Sequence, residues 1–331
     1  TFLMHLGDLT LTTPFIHALR KAAPDAHITM LVDEKLKDVV LFNPYLDEVV
    51  TIDKKGRDNS ILSLWACSRH LSKLDFDVLI NLHPNERCSF IDAMTSVKLR
   101  TGTTHKIFKW FWDVFTPLDR SMHAADMYLD VLQQLGVQDL SSNGLEIFPG
   151  EEHFLEAELF WQEQNITDQD KLIGFNIGSA VPTKRWPPER FAEVADIFAA
   201  KGYKTVFFGG PMDEEMVAEA TGYMQTRPII ATGHFAIGGL AAAMRRCCLI
   251  ITNDSGPMHV AISQKVPIVA MYGPSNPKLY GPYTKDAVIV TAQPPCQGCA
   301  DGMKHSCDDL QCMSRMTVEQ VVAAAEKMLE K

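Results

Sequence analysis

The stretch Leu249–His259, LIITNDSGPMH, carries the clearest indication of the fold. Its apolar first part predicts a buried strand over Leu249–Thr252, and Pro257 suits the first turn of a helix that follows. The polar loop between them contains Ser255 and Gly256, whose backbone N–H groups can bind a diphosphate. A buried strand that leads through such a loop into a helix is typical of a parallel α/β sheet.

Outward from this stretch, short apolar strands alternate with helical segments along the whole chain. Strands are predicted at Phe2–His5, His27–Val32, Glu48–Ile52, Val78–Asn81, Leu172–Ile177, Lys204–Phe208, Ile229–Ala231 and Pro267–Tyr272. Helices are predicted at Thr13–Ala23, Glu34–Phe42, Ile61–Lys73, Met122–Leu135 and Pro187–Ala200. This alternation predicts doubly wound Rossmann-like domains of the α/β class.

A polar segment with several glycines, Gly136–Gly150, interrupts the alternation and predicts a domain boundary. We therefore expect one domain over residues 1–150 and a second over residues 151–316, with a ligand cleft between them. Thr317 and Gln320 form a capping box that starts a terminal helix. We expect this helix, residues 317–331, to pack back across the domains.

Composition narrows the function classes. The 331 residues are 46% hydrophobic and 22% charged, as in an average soluble globular protein. A formal net charge of -10 argues against a general nucleic-acid binder. No apolar run reaches 18 residues and no signal peptide is evident, so we expect a cytoplasmic protein. The chain contains neither a G-x-G-x-x-G nor a P-loop motif, which disfavours dinucleotide dehydrogenases and P-loop kinases.

The first motif whose residues could take part in a reaction is Gly7–Pro14, GDLTLTTP, where the predicted first strand ends and the first helix begins. Thr13 can cap that helix, and Pro14 suits its first turn. Asp8 is placed to accept a proton from a substrate hydroxyl. The alternative is that Asp8 only caps the helix.

The second motif, Thr183–Pro188 (TKRWPP), lies between a strand and a helix. Lys184 and Arg185 beside a helix N-terminus can bind a phosphate. A solvated basic turn is the alternative.

Two further polar segments follow strands. In the loop quoted first, Asp254 can orient the loop or bind a ribose hydroxyl, and His259 lies about one turn into the helix. A histidine buried in the core is the alternative for His259. The segment after Phe208 carries three acids that suit either a ribose site or a first helical turn: Asp213, Glu214 and Glu215.

Taken together, these motifs resemble glycosyltransferase family 9, the family of ADP-heptose:lipopolysaccharide heptosyltransferases. The matching stretches occur in the family's order, at Gly7–Pro14, Thr183–Pro187, Asn253–His259 and Tyr272–Pro277. The resemblance implies a GT-B fold and an inverting transfer of a sugar from a nucleotide-diphosphate donor, without a required cofactor. It also implies that the donor binds the second domain and the acceptor the first.

The resemblance assigns roles to individual residues. Asp8 matches the catalytic base. The donor-binding residues would be Thr183, Lys184, Asp254, Ser255, Gly256 and His259, with a ribose ligand among Asp213, Glu214 and Glu215. The family usually carries a basic residue just before the first motif, whereas this chain has Met4 and His5 there.

The predicted reaction moves heptose from ADP-heptose onto an acceptor of the lipopolysaccharide-core type at the inner membrane surface. Two alternatives remain open on the same fold: a nucleotide-sugar-binding protein without transfer activity, and an epimerase that acts on the sugar nucleotide itself.

We expect the acceptor to contact Thr12 and Thr13 as well as the basic, aromatic stretch from residue 98 to residue 120. That stretch contains Lys106 and Lys109 among five aromatic residues. Cations interleaved with aromatics suit an anionic lipid interface. The alternative is a helix whose aromatic side chains fill the core.

Four of the eight cysteines form a cluster near the C-terminus with the spacing C-x2-C-x7-C-x4-C: Cys296, Cys299, Cys307 and Cys312. Four thiols at such spacing can hold one structural zinc ion. Free thiols or a disulfide are the alternatives. In each case we expect a structural role for the cluster.

Overall fold

The computed structural model describes residues 1–292, 299, 307 and 309–330. The chain divides into two compact units, Thr1–Asn143 and Gly144–Lys331. This division falls inside the polar segment Gly136–Gly150, seven residues before the predicted boundary at residue 150. Each unit contains parallel strands connected by helices.

The first unit consists of short strands and helices in alternation. Its helices are α1 (Leu6–Thr10), α2 (Thr13–Ala22), α3 (Ile61–Ser72), α4 (Glu86–Met94) and α5 (Ala124–Gln134). Its strands are β1 (Thr29–Asp33), β2 (Glu48–Ile52), β3 (Val78–Asn81), β4 (Leu99–Gly102) and β5 (Val114–Phe115). Two 3₁₀ helices, Glu34–Val39 and Lys106–Phe111, complete this unit; the first of them replaces the α-helix predicted over Glu34–Phe42.

The first residues of the chain lie between two sheets of this unit. β1 pairs with β2, and β3, β4 and β5 pair in that order, all in parallel. The N–H of Phe2 donates to the Leu31 carbonyl at 3.0 Å, and the N–H of Leu82 donates to the Thr1 carbonyl at 3.2 Å. The predicted strand Phe2–His5 is therefore wrong as a regular strand, because the chain bends into α1 after these few bonds.

The second unit has a larger set of elements. Its strands are β6 (Leu172–Asn176), β7 (Lys204–Phe208), β8 (Ile229–Ile230), β9 (Cys247–Asn253), β10 (Ile268–Met271) and β11 (Ala287–Val290). Its longer helices are α6 (Glu151–Glu163), α7 (Pro188–Ala200), α8 (Glu214–Tyr223), α9 (Ile237–Met244) and α10 (Gly256–Ser263). Near the end come α11 (Pro277–Tyr280), α12 (Gln311–Ser314) and α13 (Val318–Leu329), and short 3₁₀ helices span Pro182–Lys184 and Pro211–Asp213.

The six strands of the second unit form one parallel sheet in the order β11-β10-β9-β6-β7-β8. The chain starts at the centre with β6, moves outward through β7 and β8, and then returns to β9 on the other side of β6. The carboxyl ends of β6 and β9 thus meet at the switch point of the sheet, where α/β sheets commonly bind ligands.

A cluster of buried apolar side chains packs against one face of this sheet. Phe175 of β6 and Phe207 of β7 stack with their ring centroids 5.2 Å apart, and both are fully buried. The terminal helix α13 packs on α7, β9, β10 and β11. Its predicted capping box is present, since the N–H of Thr317 donates to Gln320 Oε1 at 2.9 Å and the N–H of Gln320 donates to Thr317 Oγ1 at 3.3 Å. The packing of this helix against the first unit stays a prediction.

Among the described residues, no helix is both long enough and apolar enough to span a bilayer.

Candidate active site

Two asparagines end the adjacent strands β6 and β9 and organise the edge of the second sheet. The Asn176 side-chain amide donates to Thr252 Oγ1 at 3.0 Å and to Ser255 Oγ at 2.8 Å. The Asn253 amide donates to the Ile177 carbonyl at 2.7 Å. Because Asn176 and Asn253 are both buried, these bonds fix the loop after β9 against the end of β6.

The loop that carries Lys184 is anchored by a buried tryptophan. Trp186 has no exposed surface, and its ring N–H donates to the Met316 carbonyl at 3.1 Å. Its backbone N–H donates to Asn253 Oδ1 at 3.1 Å. The neighbouring Thr183 is buried as well. The predicted phosphate motif is therefore held directly beside the loop that follows β9.

Lys184 and Asp254 form an ion pair in this place. Lys184 Nζ donates to Asp254 Oδ2 at 2.7 Å, and the two side chains are 13% and 7% exposed. This geometry is inconsistent with the solvated basic turn that was the alternative for Lys184. A charged pair so far from water needs good geometry and further hydrogen bonds to balance its desolvation.

Two serines that sequence reasoning missed provide such bonds. The Ser275 hydroxyl donates to Asp254 Oδ2, and the Ser179 hydroxyl donates to the Asp254 backbone carbonyl at 3.3 Å. Ser275 lies in the stretch Tyr272–Pro277, which carried the family resemblance without a role for any residue. A polar residue shortly after a buried strand was the available signal.

Tyr272, at the start of the same stretch, is completely buried. Its hydroxyl donates to the Tyr280 carbonyl at 2.9 Å. Burial, together with the negative charge of Asp254, raises the pKa of Tyr272 well above its ordinary value. Tyr272 is therefore a neutral hydrogen-bond donor that supports the loop after β10.

Helix α10 starts at Gly256 with Ser255 in the N-cap position, and Pro257 lies in its first turn, where it was predicted. In the part of the chain that the structure describes, the Ser255 hydroxyl makes no capping bond to the first turn of α10. The first-turn N–H groups of a helix have no partner within the helix, and they carry the positive end of its dipole. His259, one turn further on, is buried, with 4% of its surface exposed.

The three acidic candidates after β7 take different positions. The Asp213 carboxylate accepts a hydrogen bond from the Gly210 N–H at 2.9 Å and lies close to the backbone of Gly178, just beyond β6. Glu214 and Glu215 begin α8 and are exposed. The Glu214 side chain extends toward Gly233. Asp213 therefore serves the helix start, which was one of its two predicted roles, and the ribose role stays a prediction for all three.

In the first unit, Asp8 lies on a short helix and not on the predicted turn. It occupies the first turn of α1, with its side chain 23% exposed. The exposed His5 is the N-cap of this helix, and its Nδ1 lies 3.8 Å from Asp8 Oδ2. Nearby, burial and, to a smaller extent, the charges of Lys54 and His5 lower the pKa of His83 to about 4.

Thr12 and Thr13, the two threonines predicted to contact the acceptor, are buried. The Thr12 hydroxyl donates to the Leu9 carbonyl at 2.7 Å, and the Thr13 hydroxyl donates to the Thr10 carbonyl at 2.8 Å. The predicted cap by Thr13 is wrong, because Thr12 is the N-cap of α2 and the Thr13 hydroxyl points back to α1. Acceptor contact by the two residues stays a prediction.

The aromatic stretch of the first unit divides between core and surface. Trp112 is buried, and its ring N–H donates to the Thr101 carbonyl at 3.1 Å. Trp110, in contrast, is 95% exposed. Lys106 and Lys109 are exposed on the same 3₁₀ helix, and Lys109 Nζ lies 4.6 Å from the ring centre of Phe115. Trp112 therefore contributes to the core, whereas contact of Lys106 and Lys109 with an acceptor or with an anionic lipid interface stays a prediction.

The cysteine cluster receives no support as a metal site. Cys296 lies outside the described residues. Across the described ranges, no group of three or more histidine, cysteine or acidic side chains is arranged to hold a metal ion. Cys312 is buried in the apolar core of the second unit, close to Gly273 and beside Met313.

The comparisons with known proteins agree with this geometry. The family model for glycosyltransferase family 9 (heptosyltransferase) matches residues 64–307. The chain is 33% identical over 300 residues to lipopolysaccharide heptosyltransferase 2 of Escherichia coli K12, which covers 86% of this chain and 85% of the relative. It is 24% identical to lipopolysaccharide heptosyltransferase 3 of the same strain, over 98% of this chain and 95% of the relative.

Solved structures resemble the chain over nearly its full length. A glycosyl transferase family 9 protein from Veillonella parvula DSM 2008 superposes with a TM-score of 0.95 at 53% identity, covering 99% of this chain and 96% of that chain. The E. coli ADP-heptose lipopolysaccharide heptosyltransferase II has a TM-score of 0.78 at 19% identity, covering 99% and 97%. The predicted α/β class with a GT-B fold is confirmed. The chain therefore belongs to glycosyltransferase family 9 and is a glycosyltransferase.

Proposed function

We propose that this protein transfers heptose from ADP-heptose to a saccharide of the lipopolysaccharide-core type, with inversion at the anomeric carbon. The observation that carries the proposal is the buried Lys184–Asp254 pair beside the N-terminus of α10, at the switch point of the second sheet. The heptosyltransferase names of several relatives support the choice of sugar and acceptor.

The donor diphosphate needs positive charge at its phosphates, because it leaves with an additional negative charge. Lys184 supplies an ammonium group, and the N–H groups of Gly256 and its neighbours supply the helix dipole. Within the pair, Asp254 keeps Lys184 in place before the donor arrives. The Asp254 carboxylate and the acids near the start of α8 can then accept hydrogen bonds from hydroxyl groups of the donor.

Asp8 is the proposed general base. Its carboxylate takes the proton of an acceptor hydroxyl while that oxygen forms a bond to the anomeric carbon of the sugar. The bond between the anomeric carbon and the diphosphate oxygen breaks in the same displacement, and the nucleoside diphosphate leaves with the electron pair. Attack on the face opposite the leaving group inverts the anomeric configuration. None of these steps requires a group beyond the two substrates and this chain.

The acceptor, in this proposal, is a lipid-linked saccharide at the inner membrane surface. The exposed Lys106, Lys109 and Trp110 support it, because cations beside an exposed indole suit an anionic lipid interface.

The test is an assay with ADP-heptose and a purified core oligosaccharide truncated before its heptose. We expect release of ADP together with an acceptor that is heavier by one heptose, and NMR of the product should show the inverted anomeric configuration. Incubation with ADP-heptose alone and with UDP-N-acetylglucosamine alone serves as the control. Donor binding without transfer would overturn the proposal in favour of a binding protein, and an isomerised sugar nucleotide without acceptor would favour an epimerase.

A further inference from the structure

Lys54 follows β2 and makes three contacts within the first unit. Its ammonium group donates to the backbone carbonyls of Leu3 and Met4 at 2.9 and 3.1 Å. It also lies 3.0 Å from Asp33 Oδ2, at the end of β1. The Lys54 side chain is 20% exposed and that of Asp33 is 7% exposed, so the group is mostly shielded from water.

These three contacts match the three N–H donors of an ammonium group. The charge of Lys54 is therefore committed to the protein itself and is not presented to a ligand. A buried carboxylate such as Asp33 depends on its cation, because an uncompensated charge away from water is strongly destabilising. Lys54 thus joins the end of β1 to the residues that precede α1.

The position of α1 depends on those residues. Leu3 and Met4 lead directly into His5, the N-cap of α1, and Asp8 lies in the first turn. A helix of five residues is not stable by itself, so its direction is set by what holds its ends. The hydroxyls of Thr12 and Thr13 hold the carboxyl end, and the Lys54 ammonium holds the chain at the entrance.

The loop that bears Lys54 is itself anchored to α4. The guanidinium of Arg87 donates to the Lys54 backbone carbonyl and to Asn59 Oδ1, the latter at 2.7 Å. Lys54 is therefore fixed at both its backbone and its ammonium group. The connection runs from α4 through Lys54 to the residues just before Asp8.

We propose that Lys54 is a positioning residue for Asp8. The inference rests on the proposed role of Asp8 as the general base. The chain just before the first motif, with Met4 and His5, contains no lysine or arginine of its own. Lys54 brings a cation to the same backbone from the end of another strand. A displacement of about 1 Å at a reacting group can lower a rate about 100-fold, so this support matters for turnover.

The test compares Lys54→Met, Lys54→Arg and the control Lys55→Met, an exposed neighbour. We expect Lys54→Met to lower kcat about 10- to 100-fold while the KM values for donor and acceptor change less than about twofold. Lys54→Arg, which retains the charge and several donors, should recover most of the loss. Lys55→Met should behave like the wild type. All rates are measured well below the Tm of each variant.

A second measurement does not depend on substrates. Hydrogen exchange of the Leu9 and Leu11 amides, which donate to the His5 and Gly7 carbonyls, should become faster in Lys54→Met and not in Lys55→Met. An unchanged kcat and unchanged exchange in Lys54→Met would overturn the inference. A raised acceptor KM at constant kcat would also overturn it, in favour of acceptor binding by Lys54. If the wild type itself transfers no sugar, the proposed function fails, whereas the exchange result still decides whether Lys54 orders α1.

Discussion

The two units hold their candidate groups in different ways. In the second unit, Lys184 and Asp254 are buried and joined to each other and to Ser275 by side-chain bonds. In the first unit, Asp8 is partly exposed on a five-residue helix that is held mainly through its backbone. The difference teaches that the folded second unit already fixes the Lys184 and Asp254 side chains through their own contacts. The position of Asp8, the proposed base, depends instead on how the short helix α1 is placed.

Asp8→Asn should have the largest effect on turnover. The amide cannot accept the acceptor's proton, so we expect kcat to fall by about 10² to 10⁴ while donor affinity remains. Single-turnover rates and calorimetry with ADP measure the two quantities. A variant that turns over nearly as fast as the wild type would show that Asp8 is not the general base.

Lys184→Met tests the second unit and should lower both ADP affinity and stability. Loss of a charge-assisted contact to the diphosphate should weaken ADP binding about 10- to 100-fold. The buried Asp254 carboxylate would lose its cation, and we expect a loss of about 3 kcal/mol in the free energy of unfolding.

The double variant Lys184→Met/Asp254→Asn separates these two effects. It should recover part of the stability, because no uncompensated charge remains, but it should not recover ADP affinity. Calorimetry and denaturant unfolding on the same samples measure both. Wild-type ADP affinity in Lys184→Met would mean that the ion pair serves stability alone.

Charge reversal of the surface lysines, Lys106→Glu with Lys109→Glu, should affect membrane association alone. Each cation near an anionic bilayer contributes about 1 kcal/mol, so we expect binding to vesicles with phosphatidylglycerol to fall about tenfold or more. Transfer to a soluble acceptor should stay within about twofold. Co-sedimentation that is equal for the variant and the wild type would contradict the proposed lipid contact.

Asp92→Asn tests the pH response of the first unit and should have the smallest effect. Burial raises the pKa of Asp92 to about 6, although the Thr1 hydroxyl bound to it at 2.7 Å opposes the shift. Native Asp92 therefore binds a proton more tightly than the unfolded chain does, and its contribution to stability falls as the pH rises from about 4 to about 6.

The Tm of Asp92→Asn relative to wild type should accordingly increase by about a few degrees over that pH interval. Differential scanning fluorimetry across the interval measures it. A Tm difference that stays constant with pH, or that decreases, would show that the pKa of Asp92 is not raised in the native protein.

Much of the second unit could be predicted because its signals are local. The strand at Leu249–Thr252, Pro257 in the first turn of α10 and the capping box at Thr317 each depend on neighbouring residues. Lys184 and Asp254 were both candidates, but they are 70 residues apart, so their ion pair could not be derived from spacing.

The first unit was harder to predict where contacts are distant. The chain before Asp8 has the composition of a strand, yet it bonds to residues near 31 and 80 and then bends into α1. Thr12 and Thr13 were predicted to contact the acceptor because a hydroxyl group can both donate and accept hydrogen bonds. In the structure their hydroxyls donate to the backbone carbonyls three residues earlier in the chain. Lys54 gave no signal in the sequence, since its role depends on three separate segments.

The hydrogen bonds of the first residues also bear on the order of folding. Thr1 and Phe2 contact β1 near residue 31 and the chain at β3 near residue 80. The contacts of the first residues with both sheets can therefore form only after some eighty residues of chain have been made. Such distant pairings slow folding, because loop-closure entropy must be overcome before the contacts form. We therefore expect the proposed base to reach its position late in folding, after β3 has formed. Folding intermediates should then acquire secondary structure before they acquire activity.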